Sequence, residues 1–202
     1  MSVPAPSLPD FDHIQRFFDP RLEAVSAKIL PGEFYTTVAD EMVTTLLGSC
    51  VAACIWDPVA KIGGMNHFLI PEGGNGASDN KLDVARYGVF AMEFLINSIL
   101  KNGGERERLV AKLTGGGHVL QSSTPIGSSN VRFARRYLAD EGIEVLSEHV
   151  EGEHARRVAF HPLSGRCLVQ ELASATTEVS KSERAYASSI ERPADPGEIE
   201  LF

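Results

Sequence analysis

The stretch Thr44-Thr-Leu-Leu-Gly-Ser-Cys50-Val-Ala-Ala-Cys-Ile-Trp-Asp-Pro58, followed by Gly63-Gly-Met-Asn-His67-Phe68, decides how the rest of the chain is read. Two β-rich apolar runs meet at a Gly48-Ser49 break, and a cysteine opens the second run. A small, flexible turn of this kind exposes a sulfur and aims neighbouring backbone N–H groups at a developing oxyanion. His67 follows a second glycine pair. A thiol, an imidazole and glycines that permit close backbone approach are the parts of a cysteine hydrolase.

Outward from that stretch the chain reads as short strands, then a helix, a strand, a second helix and an antiparallel end. Strands are expected at 26–30, 34–38, 42–47, 51–56 and 61–70, with breaks at Pro31-Gly32, Asp57-Pro58 and Pro71. Leu82, Ala85, Val89, Met92, Ile96 and Ile99 recur at three- and four-residue intervals, the signature of a helix with one buried face. It begins near Ser78 or Asp79 and stops at Asn102-Gly103-Gly104. A strand over 108–113, a helix over 129–141 ended by Gly142, and strands over 143–150, 156–160 and 166–172 complete the body. The class is α/β: a single layered domain of mixed β-sheets packed with two main helices. Residues 1–12 read as a mobile leader, with Phe11, Phe17 and Phe18 as candidates to dock part of it onto the body, 13–172 as the catalytic domain, and the Ser/Thr/Glu-rich 173–202 as a disordered tail.

Composition removes several classes of function. The 202 residues are 43% hydrophobic and carry a formal net charge of -8, which disfavours nucleic acid and anionic membranes as main partners. Met1–Asp10 has no basic start and no apolar core, so no secretory leader is read there. The most apolar long stretch, 88–100, is interrupted by Glu93 and Asn97 and is too short for membrane insertion. Three cysteines do not make a disulfide framework, and a reducing cytoplasm is expected.

Each candidate residue has an ordinary alternative. Cys50 by composition is a small core hydrophobe; the Gly48-Ser49 lead-in sets it apart. Cys54 alternates with Ala52 and Trp56 and is assigned to the core. A Cys50–Cys54–His67 zinc site lacks a fourth ligand nearby, so no metal is expected. If His67 meets Cys50 in space, it takes the thiol proton, and its ring needs a third group to orient it; Thr44, Ser49 and Asn66 are the polar candidates. His118, after Gly115-Gly-Gly117, is the one competing histidine. That glycine run lacks the ending of a P-loop and the spacing of a dinucleotide fingerprint. It reads as a connection where backbones approach closely.

Together, Leu47-Gly-Ser-Cys-Val51, Asp57-Pro58 and Ile62-Gly-Gly-Met-Asn-His-Phe-Leu-Ile-Pro71 resemble the chemoreceptor glutamine deamidase (CheD) family. The resemblance extends to Lys28-Ile-Leu-Pro-Gly-Glu33, Lys112-Leu-Thr-Gly-Gly-Gly117, Ile126-Gly-Ser-Ser-Asn-Val131 and Gly142-Ile-Glu-Val145. It implies hydrolysis of glutamine side-chain amides on the cytoplasmic domains of methyl-accepting chemotaxis receptors, with 13–172 as the deamidase domain. Cys50 matches the family nucleophile, His67 its general base, and Thr44 the threonine completing the triad; Gly48, Ser49 and Asn66 stand as oxyanion and supporting groups. No cofactor is implied, and a CheC-type phosphatase is the implied regulatory partner. A non-catalytic phosphatase-binding adaptor and a receptor methylesterase are the rival functions. The chain departs from the family pattern at His149-Val-Glu-Gly152 and Ala155-Arg156-Arg157, which spare the triad and alter a loop or docking surface.

Overall fold

A computed structural model describes residues 5–70, 80–119, 126–172 and 177–190. Strands β1 (Gln15–Asp19), β2 (Ala24–Lys28), β3 (Phe34–Thr37), β4 (Met42–Leu47), β5 (Val51–Asp57) and β6 (Ile62–Asn66) lead into helix α1 (Asn80–Lys101). After a 3-10 turn come β7 (Val110–Gly115), α2 (Ile126–Asp140), β8 (Glu144–Val150), β9 (Ala155–His161), β10 (Arg166–Leu172) and α3 (Thr177–Ile190). They form two five-stranded sheets, ordered β1-β2-β4-β9-β10 and β3-β6-β5-β7-β8. Both are mixed: β2–β4 and β7–β8 are parallel, and the other pairs antiparallel.

Strand β5 explains the layering. All seven of its residues are buried, because side chains alternate across a strand and each face meets a different apolar layer. Val51, Ala53 and Ile55 face α1 and α2, packing with Met92, Leu95, Ile96, Ile99, Val131, Ala134 and Leu138. Ala52, Cys54 and Trp56 face the other sheet, packing with Ala27, Ile29, Val43, Leu47, Val158 and Phe160. The order is therefore helices, sheet, sheet. The expected α/β class holds, as does the place of Cys54 in the core.

The turn at the end of β5 is held by Asp57. Its buried carboxylate accepts from the Val59, Ala60 and Glu105 amides and from Arg108. Burial alone would raise its pKa; these donors outweigh it and hold the carboxyl well below the usual range.

Several expectations need correction. Phe11 docks as expected, but the leader is held further out than a boundary at residue 12 allows: Ile14 is buried too, and the Ser7 hydroxyl lies 2.8 Å from Thr37 Oγ1. Strand β1 was not anticipated. Most consequentially, 177–190 is not a disordered tail but α3, whose Val179 and Glu183 are buried against the body. Residues 173–176 and 191–202, with the proposed helix cap at Ser78 or Asp79, lie outside the described residues. Helix α2 starts three residues earlier than expected, with Gly127, Asn130 and Val131 buried.

Candidate active site

The chain crosses from one sheet to the other between β4 and β5, and the crossing is Gly48-Ser49-Cys50. Its geometry is clamped on both sides. Gly117 N–H donates to the Gly48 carbonyl at 2.8 Å, and Gly116 N–H to the Cys50 carbonyl at 2.7 Å. From α2, Asn130 Nδ2 donates to the Ser49 carbonyl at 3.0 Å, while its Oδ1 accepts from Ile70 N–H at 2.9 Å. With the carbonyls held outward in this way, the amides of the turn converge on the opposite side.

The glycine triplet provides the room. Gly115 has φ +110° and Gly116 φ +67°, both costly for residues with a side chain, and a Cβ on Gly115 would stand 2.3 Å from the Cys50 carbonyl oxygen. This bears out the reading as a place of close backbone approach. The departing loop belongs to the same clamp: Glu151 N–H donates to the Gly115 carbonyl, and buried Arg156 donates to the carbonyls of Gly115 and Glu151.

His67 is fixed by strand-like pairing. Its N–H donates to the Glu33 carbonyl at 2.9 Å, its carbonyl accepts from Gly32 N–H at 2.7 Å, and Val51 and Phe68 form a bridge beside it. The hydroxyl that meets its ring belongs to Thr45, with Oγ1 2.8 Å from Nδ1. Thr44, the expected third member, sits on the other face of β4, with its Oγ1 donating to the Ala27 carbonyl at 3.4 Å. Strand alternation makes the two threonines exclusive. Asn66 is also elsewhere: it accepts from Ala53 N–H and donates to the Ala91 carbonyl and Met92 sulfur, tying β6 to β5 and α1. His118 is exposed.

The tautomer of His67 follows from one hydrogen. Thr45 Oγ1 donates its only proton to the Ile29 carbonyl at 2.8 Å, so toward Nδ1 it can only accept. Nδ1 therefore carries the proton. Nε2, which has no hydrogen-bond partner among the described residues, is the basic nitrogen. Burial lowers the imidazole pKa to about 4, against the opposing pull of the Glu183 carboxylate, so the ring is neutral at pH 7. The turn does not expose the sulfur as expected: Cys50 is wholly buried beneath Glu183. Burial raises its thiol well above the ordinary value, and the Glu183 charge and hydrogen bond raise it further.

Glu183, from α3, is the residue that sequence reading missed. Its Oε1 accepts from Gly48 N–H at 2.7 Å and Cys50 N–H at 3.1 Å. Its Oε2 accepts from Ser49 N–H at 2.9 Å and the Ser49 hydroxyl at 2.8 Å. A Cβ on Gly48 would come within 2.8 Å of Oε2, so glycine is needed for this approach. Ligand atoms of Cys50, His67 and Glu183 lie within 4.8 Å of one another. A thiolate, an imidazole and a carboxylate suit zinc chemically. Here each carboxylate oxygen is already held by two donors, an arrangement for binding an anion. A cavity of about 130 Å³ beside them is lined by Leu30, Thr45, Leu46, His67, Val179 and Glu183, among others.

Known proteins resemble this chain closely. A probable chemoreceptor glutamine deamidase CheD of Rhodopseudomonas palustris is 47% identical, covering 100% of this chain and 95% of that protein. The chain belongs to the CheD family. Proteins of the same description from Methylobacillus flagellatus and Xanthomonas campestris are 48% and 45% identical over 92% and 95% of this chain, and 94% and 96% of their own length. The profile of the CheD family, described as chemotactic sensory transduction, matches residues 69–171. That match begins after His67, so it is the full-length relatives that cover the cysteine and histidine of this CheD-family chain. Among solved structures, the Bacillus licheniformis hypothetical protein YfiH has a TM-score of 0.35 at 11% identity, covering 60% of this chain and 50% of that one.

Proposed function

We propose that the chain is a protein-glutamine deamidase that hydrolyses glutamine side-chain amides on the cytoplasmic domains of chemotaxis receptors. Support comes from the convergence of consecutive backbone amides beside a buried thiol and a correctly protonated imidazole. The Gly48 and Cys50 amides meet one oxygen at 2.7 and 3.1 Å, the range in which backbone donors stabilise a tetrahedral oxyanion. The names of the full-length relatives supply the substrate class.

In this reading His67 Nε2 takes the Cys50 proton as the sulfur attacks the glutamine Cδ. The carbonyl oxygen becomes the oxyanion held by the Gly48 and Cys50 amides. His67 then gives its proton to the departing nitrogen, releasing ammonia and leaving a thioester. Water, deprotonated by the same Nε2, hydrolyses the thioester to glutamate and frees the thiol. Thr45 accepts from Nδ1–H throughout and steadies the imidazolium, the orienting role that Thr44 does not fill. Asn130 holds the turn from behind.

No helix among the described residues is long and apolar enough to cross a membrane; a cytoplasmic enzyme meeting the receptor's cytoplasmic domain fits that, with a CheC-type phosphatase as a regulatory partner. The test is to incubate purified receptor cytoplasmic domain with the protein and with Cys50→Ala, then map amide-to-acid conversion by peptide mass. Conversion by the wild type alone is expected. Methanol release without ammonia would replace the deamidase with an esterase. No conversion by either protein, nor by a Glu183→Ala variant that frees the cradle, would leave an adaptor.

A further inference from the structure

The carboxylate in the oxyanion cradle belongs to the protein itself. We propose that α3 holds Glu183 in the pose of the reaction product, so that the resting enzyme is inhibited by its own helix, which lies where a glutamine-bearing substrate helix must dock. This rests on the deamidase reading, in which a glutamate side chain is the product.

Four donors converge on Glu183, all from Gly48, Ser49 and Cys50. A carboxylate suits this cradle better than the amide of a substrate. Each of its oxygens only accepts, whereas a glutamine NH₂ would meet the N–H of one of these residues with a second donor. Glu183 is 1% exposed and Cys50 is wholly buried, so neither a receptor side chain nor any other electrophile reaches the sulfur with α3 in place. The negative charge beside the thiol also opposes thiolate formation, consistent with an idle state.

The helix is built to dock by one stripe. Val179 and Glu183 are buried, Tyr186 and Ala187 half-buried, and Lys181, Ser182, Arg184 and Ala185 exposed. That 4-3-1 spacing is a single helix face. Tyr186 packs on Gly32, where a Cβ would stand 2.5 Å from its ring, and Val179 covers the cavity formed with Ile29, Leu30, Pro31 and Leu46. Among the described residues of this stripe, Glu183 supplies a buried, four-donor polar anchor. The groove that α3 occupies thus fits an amphipathic helix with an apolar residue four positions before its glutamine and an aromatic or small residue three or four after it.

The experiment compares the full-length protein with Glu183→Ala and Val179→Asp, the second leaving the carboxylate intact while breaking the docking. Alkylation by iodoacetamide is followed residue by residue by peptide mass. Losing the anchor should speed Cys50 alkylation by about tenfold or more, with Cys54 still protected and Lys181→Ala behaving as wild type. Deamidation of receptor cytoplasmic domain should rise in the same two variants. Cys50 labelling unchanged in both variants overturns the proposal, as does a parallel rise at Cys54. Faster Cys50 alkylation with no receptor deamidation in any variant would sustain the blocking helix and overturn the deamidase reading instead.

Discussion

Which of two adjacent threonines serves the site is decided by a single hydroxyl. Thr45→Val keeps the shape and strand preference of the residue but leaves His67 Nδ1–H buried without an acceptor, a loss of about 1–3 kcal/mol. Deamidation should fall roughly tenfold or more, whereas Thr44→Val, on the opposite face, should stay within about twofold; ammonia release from receptor domain measures both, and equal losses would refute the assignment. His67 also leaves a mark on stability. Its folded pKa of about 4 lies below the ordinary value of 6.5, so between those values the unfolded chain binds more protons. The stabilising contribution is full above pH 6.5 and is lost as pH falls toward 4, by about 3 kcal/mol. Urea midpoints measured across that window should fall less steeply with acid in His67→Gln than in the wild type; parallel slopes would show that the imidazole is not held neutral.

The crossing between β4 and β5 is a taut element because two others brace it. The glycine triplet holds the Gly48 and Cys50 carbonyls, and α2 holds Ser49 and Ile70 through Asn130. Asn130→Ala strips partners from a buried carbonyl and from an amide, which should cost about 1–3 kcal/mol of stability. Because the same change frees the cradle to relax, kcat should fall more than KM rises. A variant that is destabilised yet keeps full kcat would show that Asn130 only packs. The helix motif around Ile126–Val131 thus has a physical basis: a Cβ on Gly127 would stand 2.4 Å from the Gly116 carbonyl oxygen, so glycines on both sides let α2 approach the loop.

The whole molecule is two apolar layers sharing β5. Ile96 lies in the layer between the helices and one sheet, Phe160 in the layer between the sheets. Ile96→Ala and Phe160→Ala should each cost about 2–5 kcal/mol, and both should lower one common unfolding transition, because β5 supplies side chains to both layers. Separate transitions in calorimetry would mean that the layers fold independently. The site sits where the sheets meet: Thr45 comes from one, His67 from the end of a strand in the other, and Cys50 from the segment between them. Its geometry therefore depends on how the two sheets are set against each other.

Much of this was legible in the residues. The alternation of 51–56, the periodic face of α1, the breaks at Gly48-Ser49 and Gly103-Gly104, and the pairing of a cysteine with a histidine follow from local chemistry that each segment carries wherever it folds. The phase of β4 does not. Val43 and Leu47 are apolar on one face and Met42 and Leu46 on the other, so hydrophobic pattern alone cannot tell which threonine turns toward His67. Asn130 and Glu183 reach the cysteine turn from 81 and 133–135 residues away, and separations of that kind leave no local signal. The polar composition of 173–202 resembled an unfolded tail, although Val179, Glu183 and Tyr186 already had helical spacing. A segment this polar finds its reason to fold in a cradle of amides that exists only once the two sheets have come together.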